Sequence, residues 1–103
     1  MPISRDDGQF DDVVEDGYVS GVVTVGTSAV EAKVGGSPLA GREILTIYNG
    51  SNAVIYYGPT GVTTSTGEPL EKKQRVSIPV GAAVSVFLIA GTASNDVIVQ
   101  EWA

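Results

Sequence analysis

From Gly17 onward the chain is divided into short β-rich runs by turn-forming residues. Its 103 residues include 13 glycines and five prolines, which disfavour helix interiors. No window shows a sustained apolar period of about 3.6 residues, so long helices are not expected. Seven or eight short strands at a spacing of about 8–12 residues are typical of antiparallel sandwiches and barrels. The sequence therefore predicts an all-β fold, a single antiparallel β-sandwich or small β-barrel with an extended N-terminal arm.

Turn chemistry sets the bounds of the predicted strands. The segment Asn49-Gly50-Ser51-Asn52 gives the strongest hairpin signal, because Asn and Gly tolerate the positive φ of tight turns. The same turn accounts for Asn49-Gly50-Ser51, which also matches the N-glycosylation pattern. Glycines 58, 61 and 67 are interpreted as turn residues and not as a phosphate loop, since no Lys follows in the required register. The predicted strands are 19–25, 29–34, 43–48, 53–57, 62–65, 75–78, 83–90 and 96–102.

Residues 1–16 hold most of the charge. The whole chain has a formal net charge of −6, and this segment carries six acids against Arg5 alone. The acids do not follow the spacing of an EF-hand calcium loop. Phe10, Val13 and Val14 stand among them, and a purely solvating tail has no use for three apolar side chains. We predict an acidic arm over 1–16 that contacts a partner through these three residues, followed by a β-sandwich domain over 17–103. A simple solubility tail is the alternative.

The chain lacks both histidine and cysteine. These absences exclude a His general base, a Cys nucleophile, a disulfide and any His- or Cys-ligated metal. Glu68 and Glu71 are the candidates for a pair of catalytic carboxylates, but they stand three residues apart in a predicted loop. Nothing nearby suggests an apolar pocket that would raise either pKa. We expect no catalytic site, no cofactor and no metal.

The charge pattern also narrows the partners. Residues 17–103 carry six acids and five bases, and nucleic-acid binding normally requires a basic surface. The one basic cluster, Lys72, Lys73 and Arg75, is expected to lie in a solvated loop or edge strand beside the acids. No apolar run approaches the ~20 residues of a membrane helix, and none follows Arg5 as in a signal peptide. We predict neither nucleic acid nor membrane as a partner.

Three predicted strands, 43–48, 53–57 and 83–90, are apolar on both faces. In 43–48, Leu45 and Ile47 are predicted on one face and Ile44 and Tyr48 on the other; in 83–90, Val84, Val86 and Leu88 are predicted to share a face. Alternate strand residues face opposite sides, so one face can fill the core while the other needs a cover. Soluble monomers rarely expose a large apolar patch. We predict self-association, with the chain's own arm or loops as the alternative cover. The predicted subunit-interface residues are the aromatics Tyr48, Tyr57, Phe87 and Trp102. The aromatics Tyr48, Tyr56, Tyr57 and Trp102 could instead form a sugar-binding platform. It would include Tyr56 or Tyr57 but not both, because adjacent residues point to opposite faces.

A series of motifs resembles a small β-rich module of tailed-bacteriophage virion proteins, which include capsid decoration proteins, head fibres and appendages. The resemblance covers roughly residues 20–103. The motifs are Gly41-Arg42 with Leu45, Ile47 and Asn49, then Ile55-Tyr56-Tyr57-Gly58, Gly61-Val62-Thr63, Thr66-Gly67-Glu68-Pro69-Leu70 and Asp96-Val97-Ile98-Val99-Gln100-Glu101-Trp102.

The resemblance implies a non-enzymatic virion protein that is commonly trimeric. The leading expectation is a capsid decoration, or head-associated, protein that binds and stabilises the assembled shell. Its partners would be the major capsid protein and its own copies in a homotrimer. It would be made in the host cytoplasm and located on the capsid surface of the virion. The alternative is a host-recognition or carbohydrate-binding module of a phage tail or fibre.

Overall fold

The computed structural model describes residues 17–103, which form eight strands and no helix. The predicted arm over 1–16, with Phe10, Val13 and Val14, lies outside the described residues. The strands are β1 Tyr18–Val25, β2 Val30–Glu31, β3 Ile44–Tyr48, β4 Ile55–Gly58, β5 Glu68–Leu70, β6 Arg75–Pro79, β7 Phe87–Ala90 and β8 Asn95–Trp102.

The strands form two antiparallel sheets of four. The first sheet has the order β1-β8-β3-β6, and the second has the order β2-β7-β4-β5. All strand pairs are antiparallel. The predicted all-β sandwich is confirmed, and the sheets are not closed into a barrel.

The core lies between the two sheets and is made by alternate residues of each strand. The first sheet contributes Leu45 and Ile47 from β3 and Val97 and Val99 from β8, all with no exposed surface. The second sheet contributes residues that include Ile55, Leu70, Leu88 and Ala90. Strand alternation therefore gives the first sheet an inner face turned to the core and an outer face turned away from it.

The predicted hairpin at 49–52 is wrong. Strand β3 belongs to the first sheet and β4 to the second, so the segment between them crosses from one sheet to the other. Asn49 is fully buried, and its Nδ2 donates to the carbonyls of Ala53 at 2.7 Å and Leu70 at 2.9 Å. Its Oδ1 accepts from the amide and hydroxyl of Ser51. The side chain of Asn49 thus bridges segments at the sheet crossing and does not serve a two-residue turn.

The predicted strand 62–65 is also absent, because Val62 folds onto the second sheet. A Cβ at Gly58 would lie 2.8 Å from Cγ2 of Val62, and a Cβ at Gly67 would lie 2.7 Å from Cβ of Tyr56. Glycine is needed at both positions because the side chains of Val62 and Tyr56 pack directly against the backbone there. Strand β5 occupies a segment predicted as a turn, and it tolerates Pro69 because it is an edge strand.

The predicted strand 83–90 is shortened to β7, Phe87–Ala90. In the segment before β7, the guanidinium of Arg42 donates hydrogen bonds to the carbonyls of Gly81 at 3.0 Å and Val84 at 2.9 Å. Val84 is 55% exposed, so it does not share the buried face of Leu88 as predicted. Those carbonyls bond to a side chain, and this holds the segment in a loop.

Candidate functional site

The outer face of the first sheet presents its side chains in three rows. The strand register places one residue from each of β1, β8, β3 and β6 in each row. The first row is Tyr18, Trp102, Ile44 and Pro79, which we call the aromatic row. The second is Ser20, Gln100, Thr46 and Ser77, the polar row. The third is Val22, Ile98, Tyr48 and Arg75, the valine row.

The aromatic row presents two rings in contact. The centroids of Tyr18 and Trp102 are 4.1 Å apart with an interplanar angle of 33°. Tyr18 is 49% exposed and Trp102 is half-buried. At the other end of the row, Ile44 and Pro79 line a depression of about 270 Å³ together with Glu43 and Ser77. This end of the sheet therefore offers an aromatic and aliphatic surface.

The polar row separates the two apolar rows and satisfies part of its own hydrogen bonding. Nε2 of Gln100 donates to the Tyr18 hydroxyl at 2.9 Å. The hydroxyls of Thr46 and Ser77 are 3.0 Å apart and hydrogen-bonded. Covering polar groups that already have partners costs less than covering unpaired ones. The polar row is therefore compatible with burial beneath another protein surface.

The valine row is the most exposed of the three. Val22 is 66% exposed and Ile98 is 39% exposed. The guanidinium carbon of Arg75 lies 5.3 Å from the centroid of the Tyr48 ring, which places the cation over the aromatic face. Beyond this row the hydroxyl of Thr24 donates to Asp96 at 2.7 Å. The outer face thus carries one cation, Arg75, and one anion, Asp96, beside exposed apolar side chains.

Exposed apolar side chains are concentrated on this face. Within residues 17–103 four large hydrophobic side chains are exposed, and three of them are Tyr18, Val22 and Ile98. The fourth is Val84, which lies in the loop before β7. Clustered apolar exposure with aromatic residues is typical of protein contact surfaces. The outer face of the first sheet is the candidate functional site.

The structure separates the four predicted interface residues. Tyr48 and Trp102 both lie on the outer face, but in the valine and aromatic rows, with the polar row between them. Phe87 is on the opposite sheet and points away from the core, since its neighbour Leu88 is buried. Tyr57 packs against the core. Burial, and secondarily the charge of Glu68, raises the pKa of the Tyr57 hydroxyl above its ordinary value of 10.0.

The outer side of the second sheet is a different surface. Tyr56 and Ile89 stand opposite each other there, and Val62 covers the neighbouring glycines. A depression of about 320 Å³ is lined by Ala53, Val54, Tyr56, Thr64, Gly91 and Thr92. Of the aromatics that could form a sugar-binding platform, Tyr48 and Trp102 lie on the outer face of the first sheet and Tyr56 lies on the outer side of the second. Tyr57 packs against the core, so no single platform combines them.

A buried ion pair lies beneath the aromatic row, and sequence reasoning missed it. The guanidinium of Arg42 donates to Oε2 of Glu101 at 2.7 Å, and both side chains have almost no exposed surface. The carboxylate also accepts the backbone amides of Val34 at 3.1 Å and Leu39 at 3.2 Å. Arg42 donates in turn to three backbone carbonyls, those of Val80, Gly81 and Val84. The pair therefore ties two loops to the end of β8.

The remaining charged candidates lie at the surface. Glu68 and Glu71 are exposed, as are Lys72, Lys73 and Arg75. The basic cluster occupies the turn before β6 and the start of that edge strand, which confirms its predicted placement. Within residues 17–103 no three acidic side chains are grouped so that they could hold a metal ion. The same residues contain no helix able to cross a membrane.

Sequence reasoning also missed Tyr18, Val22 and Ile98 as surface residues. Strand alternation could have found them. In β1 and β8 these three residues occupy the same side of the strand as the polar residues Ser20, Thr24, Asp96 and Gln100. Comparisons with protein families, curated proteins and solved structures found no match. The functional interpretation therefore depends on the geometry of the outer face and on the sequence motifs.

Proposed function

We propose that this protein is a non-enzymatic capsid decoration protein of a tailed bacteriophage, which binds the assembled shell through the outer face of its first sheet. The observation that carries the proposal is the concentration of exposed apolar side chains there, Tyr18, Val22 and Ile98. The motif series of residues 20–103 supports the virion class. The major capsid protein is the proposed partner, and the capsid surface is the proposed location.

The energetics favour many weak contacts over one tight contact. Full burial of an exposed Val or Ile contributes roughly 1.5–3 kcal/mol, against an association cost of about 4–15 kcal/mol. A single outer face would therefore bind the shell with low affinity. A homotrimer would bind through three such faces, and each bound subunit would keep its neighbours close to their sites. We therefore retain the homotrimer as part of the proposal.

A shell protein of this kind would act mechanically. The three rows span all four strands of a hydrogen-bonded sheet, and the buried pair of Arg42 and Glu101 ties its end to two loops. A rigid surface that contacts two neighbouring capsid subunits would resist their separation. No bond would be made or broken in this role.

Host recognition is the second candidate function, because the stacked rings of Tyr18 and Trp102 lie half-exposed beside Gln100. An aromatic surface next to an amide is an arrangement that can stack against a sugar ring and bind its hydroxyls. Such a module of a tail or fibre would bind soluble glycans and would not bind isolated shells.

Co-sedimentation tests both candidates. The probe is undecorated shells assembled from the major capsid protein of the same phage genome, and Val22→Asp is the variant. Burial of a charge against an apolar surface is costly, so we expect at least about a tenfold loss of affinity. Val84→Asp is the matched control, since Val84 is 55% exposed away from the outer face; its binding should be unchanged.

Two results would contradict the proposal. One is equal binding of shells by both variants and the original chain. The other is glycan binding that Trp102→Ala abolishes, together with no binding to shells, which would favour the host-recognition module.

A further inference from the structure

The first sheet has one long open edge. Strand β1 is an outermost strand of eight residues. Its register with β8 runs without a bulge from the Tyr18–Trp102 pair to the Val25–Asn95 pair. Long exposed edges can pair with another strand, and proteins usually protect them with charge, proline, bulges or short length. Strand β1 has no charged residue, no proline and no bulge.

The hydrogen-bond pattern shows which groups face the open edge. Gly17 and Ala103 exchange both backbone hydrogen bonds, at 3.0 and 2.8 Å. Alternation then assigns the hydrogen-bonded positions to Val19, Gly21 and Val23. The intervening residues direct both N–H and C=O away from β8, and within residues 17–103 no other backbone group bonds to them. They are Tyr18, Ser20, Val22 and Thr24.

The other sheet edges are protected. Strand β6, at the opposite edge of the first sheet, begins with Arg75 and ends with Pro79, which has no N–H. In the second sheet the edge strands β2 and β5 have two and three residues, and β5 contains Pro69. Among the described strands, β1 is therefore the single long edge without such protection.

We infer that the open edge of β1 pairs with β1 of a second copy of this chain, antiparallel about a two-fold axis at Gly21. In an antiparallel pair, residues directly opposite each other point to the same side of the sheet. The core faces of both copies therefore lie on the same side only if each residue of β1 is opposite one that is an even number of positions away. Centring on Gly21 opposes Tyr18 to Thr24 and Ser20 to Val22, so every free N–H and C=O of these four residues is paired. The result is a continuous eight-stranded sheet.

Charge and side-chain chemistry favour a second copy as the occupant. The chain carries a net charge of −6, yet β1 is uncharged, so two copies meet there without opposing like charges. On the inner side the same register opposes Val19 to Val23. The outer faces of both copies become one surface, with Val22 of each copy near the join. This contact goes beyond the proposed shell binding and needs no shell.

A matched pair of proline substitutions tests the pairing in the full chain. Ser20→Pro removes an N–H that faces the open edge of β1 and spares the ladder to β8. Ser77→Pro is the control at the other end of the polar row, on the protected edge β6. Gly21 is unsuitable, because a Cβ there would lie 3.0 Å from Val34. Thermal melting of both variants establishes that they fold.

Sedimentation over a range of protein concentrations gives the readout. We expect the original chain to associate in even numbers, as dimers or, if the proposed trimer also forms, as hexamers. Ser20→Pro should weaken the pairing about tenfold or more, while Ser77→Pro should not. Equal association of Ser20→Pro and the original chain would overturn the inference. A trimer that never pairs would overturn it while leaving the proposed function intact.

Hydrogen exchange on the original chain decides the case if Ser20→Pro fails to fold. We expect the amides of Ser20 and Val22 to become protected as protein concentration rises. Three results would overturn the inference: no protection at any concentration, protection independent of concentration, which would indicate a segment of the same chain, and protection only on addition of shells, which would indicate a capsid strand.

Discussion

The two sides of the first sheet are built from alternate residues of the same strands, but they differ in how their side chains are held. On the inner side Glu101 is fully buried and accepts two backbone amides besides the Arg42 guanidinium. On the outer side its neighbour Trp102 stacks against a half-exposed Tyr18. One residue step along β8 therefore separates a side chain that stabilises the fold from one that is available to a partner.

The largest expected effect lies on the inner side. Glu101→Gln leaves the Arg42 guanidinium buried without its counter-charge, which typically destabilises a protein by about 3–5 kcal/mol. Urea unfolding should show this loss as a lower midpoint. Val22→Ser on the outer side of the same sheet should change the free energy of unfolding by no more than about 0.5 kcal/mol. Similar losses for both variants would break the distinction between the two sides.

Asn49 should give the next largest effect. Asn49→Ala leaves the carbonyls of Ala53 and Leu70 without the Nδ2 donor, and a buried unpaired group costs about 1–3 kcal/mol. Asn52→Ala is the control, since Asn52 is exposed in the same crossing segment. Chemical denaturation of both variants measures the difference. If Asn52→Ala lowers the free energy of unfolding as much as Asn49→Ala, the conformation of this segment is determined by turn propensity and not by the buried amide.

The smallest expected effect is on the pH dependence of stability, and it distinguishes the inner from the outer side of the second sheet. Burial and the Glu68 charge raise the pKa of Tyr57 in the folded state, so above about pH 10 the unfolded chain releases this proton more readily. Stability from this group is fully present below pH 10 and is lost as pH rises through the folded pKa. Tyr57→Phe should reduce the alkaline loss of stability, measured by urea unfolding at a series of pH values.

The adjacent residue supplies the control for that measurement. Tyr56 lies on the outer side of the second sheet and opposes Ile89. Tyr56→Phe should leave the alkaline decline in place, because Tyr57 still titrates. An identical pH profile for Tyr57→Phe and the original chain would show that burial of Tyr57 does not contribute to the alkaline decline.

Local patterns predicted most of the strands, but they missed β5, predicted an absent strand over 62–65 and did not show the contacts that join the strands. Alternation correctly placed Leu45 and Ile47 on one face of β3 and Ile44 and Tyr48 on the other. It could not show that Asn49 bonds to Leu70, because that contact joins residues 21 positions apart. The predicted hairpin failed for this reason: turn propensity is local, whereas the sheet crossing depends on a distant carbonyl.

The candidate site was predicted in part for a similar reason. Tyr48 and Trp102 were among the predicted subunit-interface aromatics, but their shared face follows from the pairing of β3 with β8. The ion pair of Arg42 and Glu101 spans 59 positions, and no spacing rule connects them. The residue types therefore predicted an aromatic and apolar contact surface. The strand order determines which of those residues share the outer face of the first sheet.

Electron cryo-microscopy of shells incubated with the full chain is the most direct test of which face binds. The proposal predicts that the outer face of the first sheet meets the capsid, with Tyr18, Val22 and Ile98 at the contact. The outer side of the second sheet, with Tyr56 and Phe87, should face solvent or a neighbouring copy. A map in which the second sheet meets the capsid and Val22 faces solvent would contradict the account.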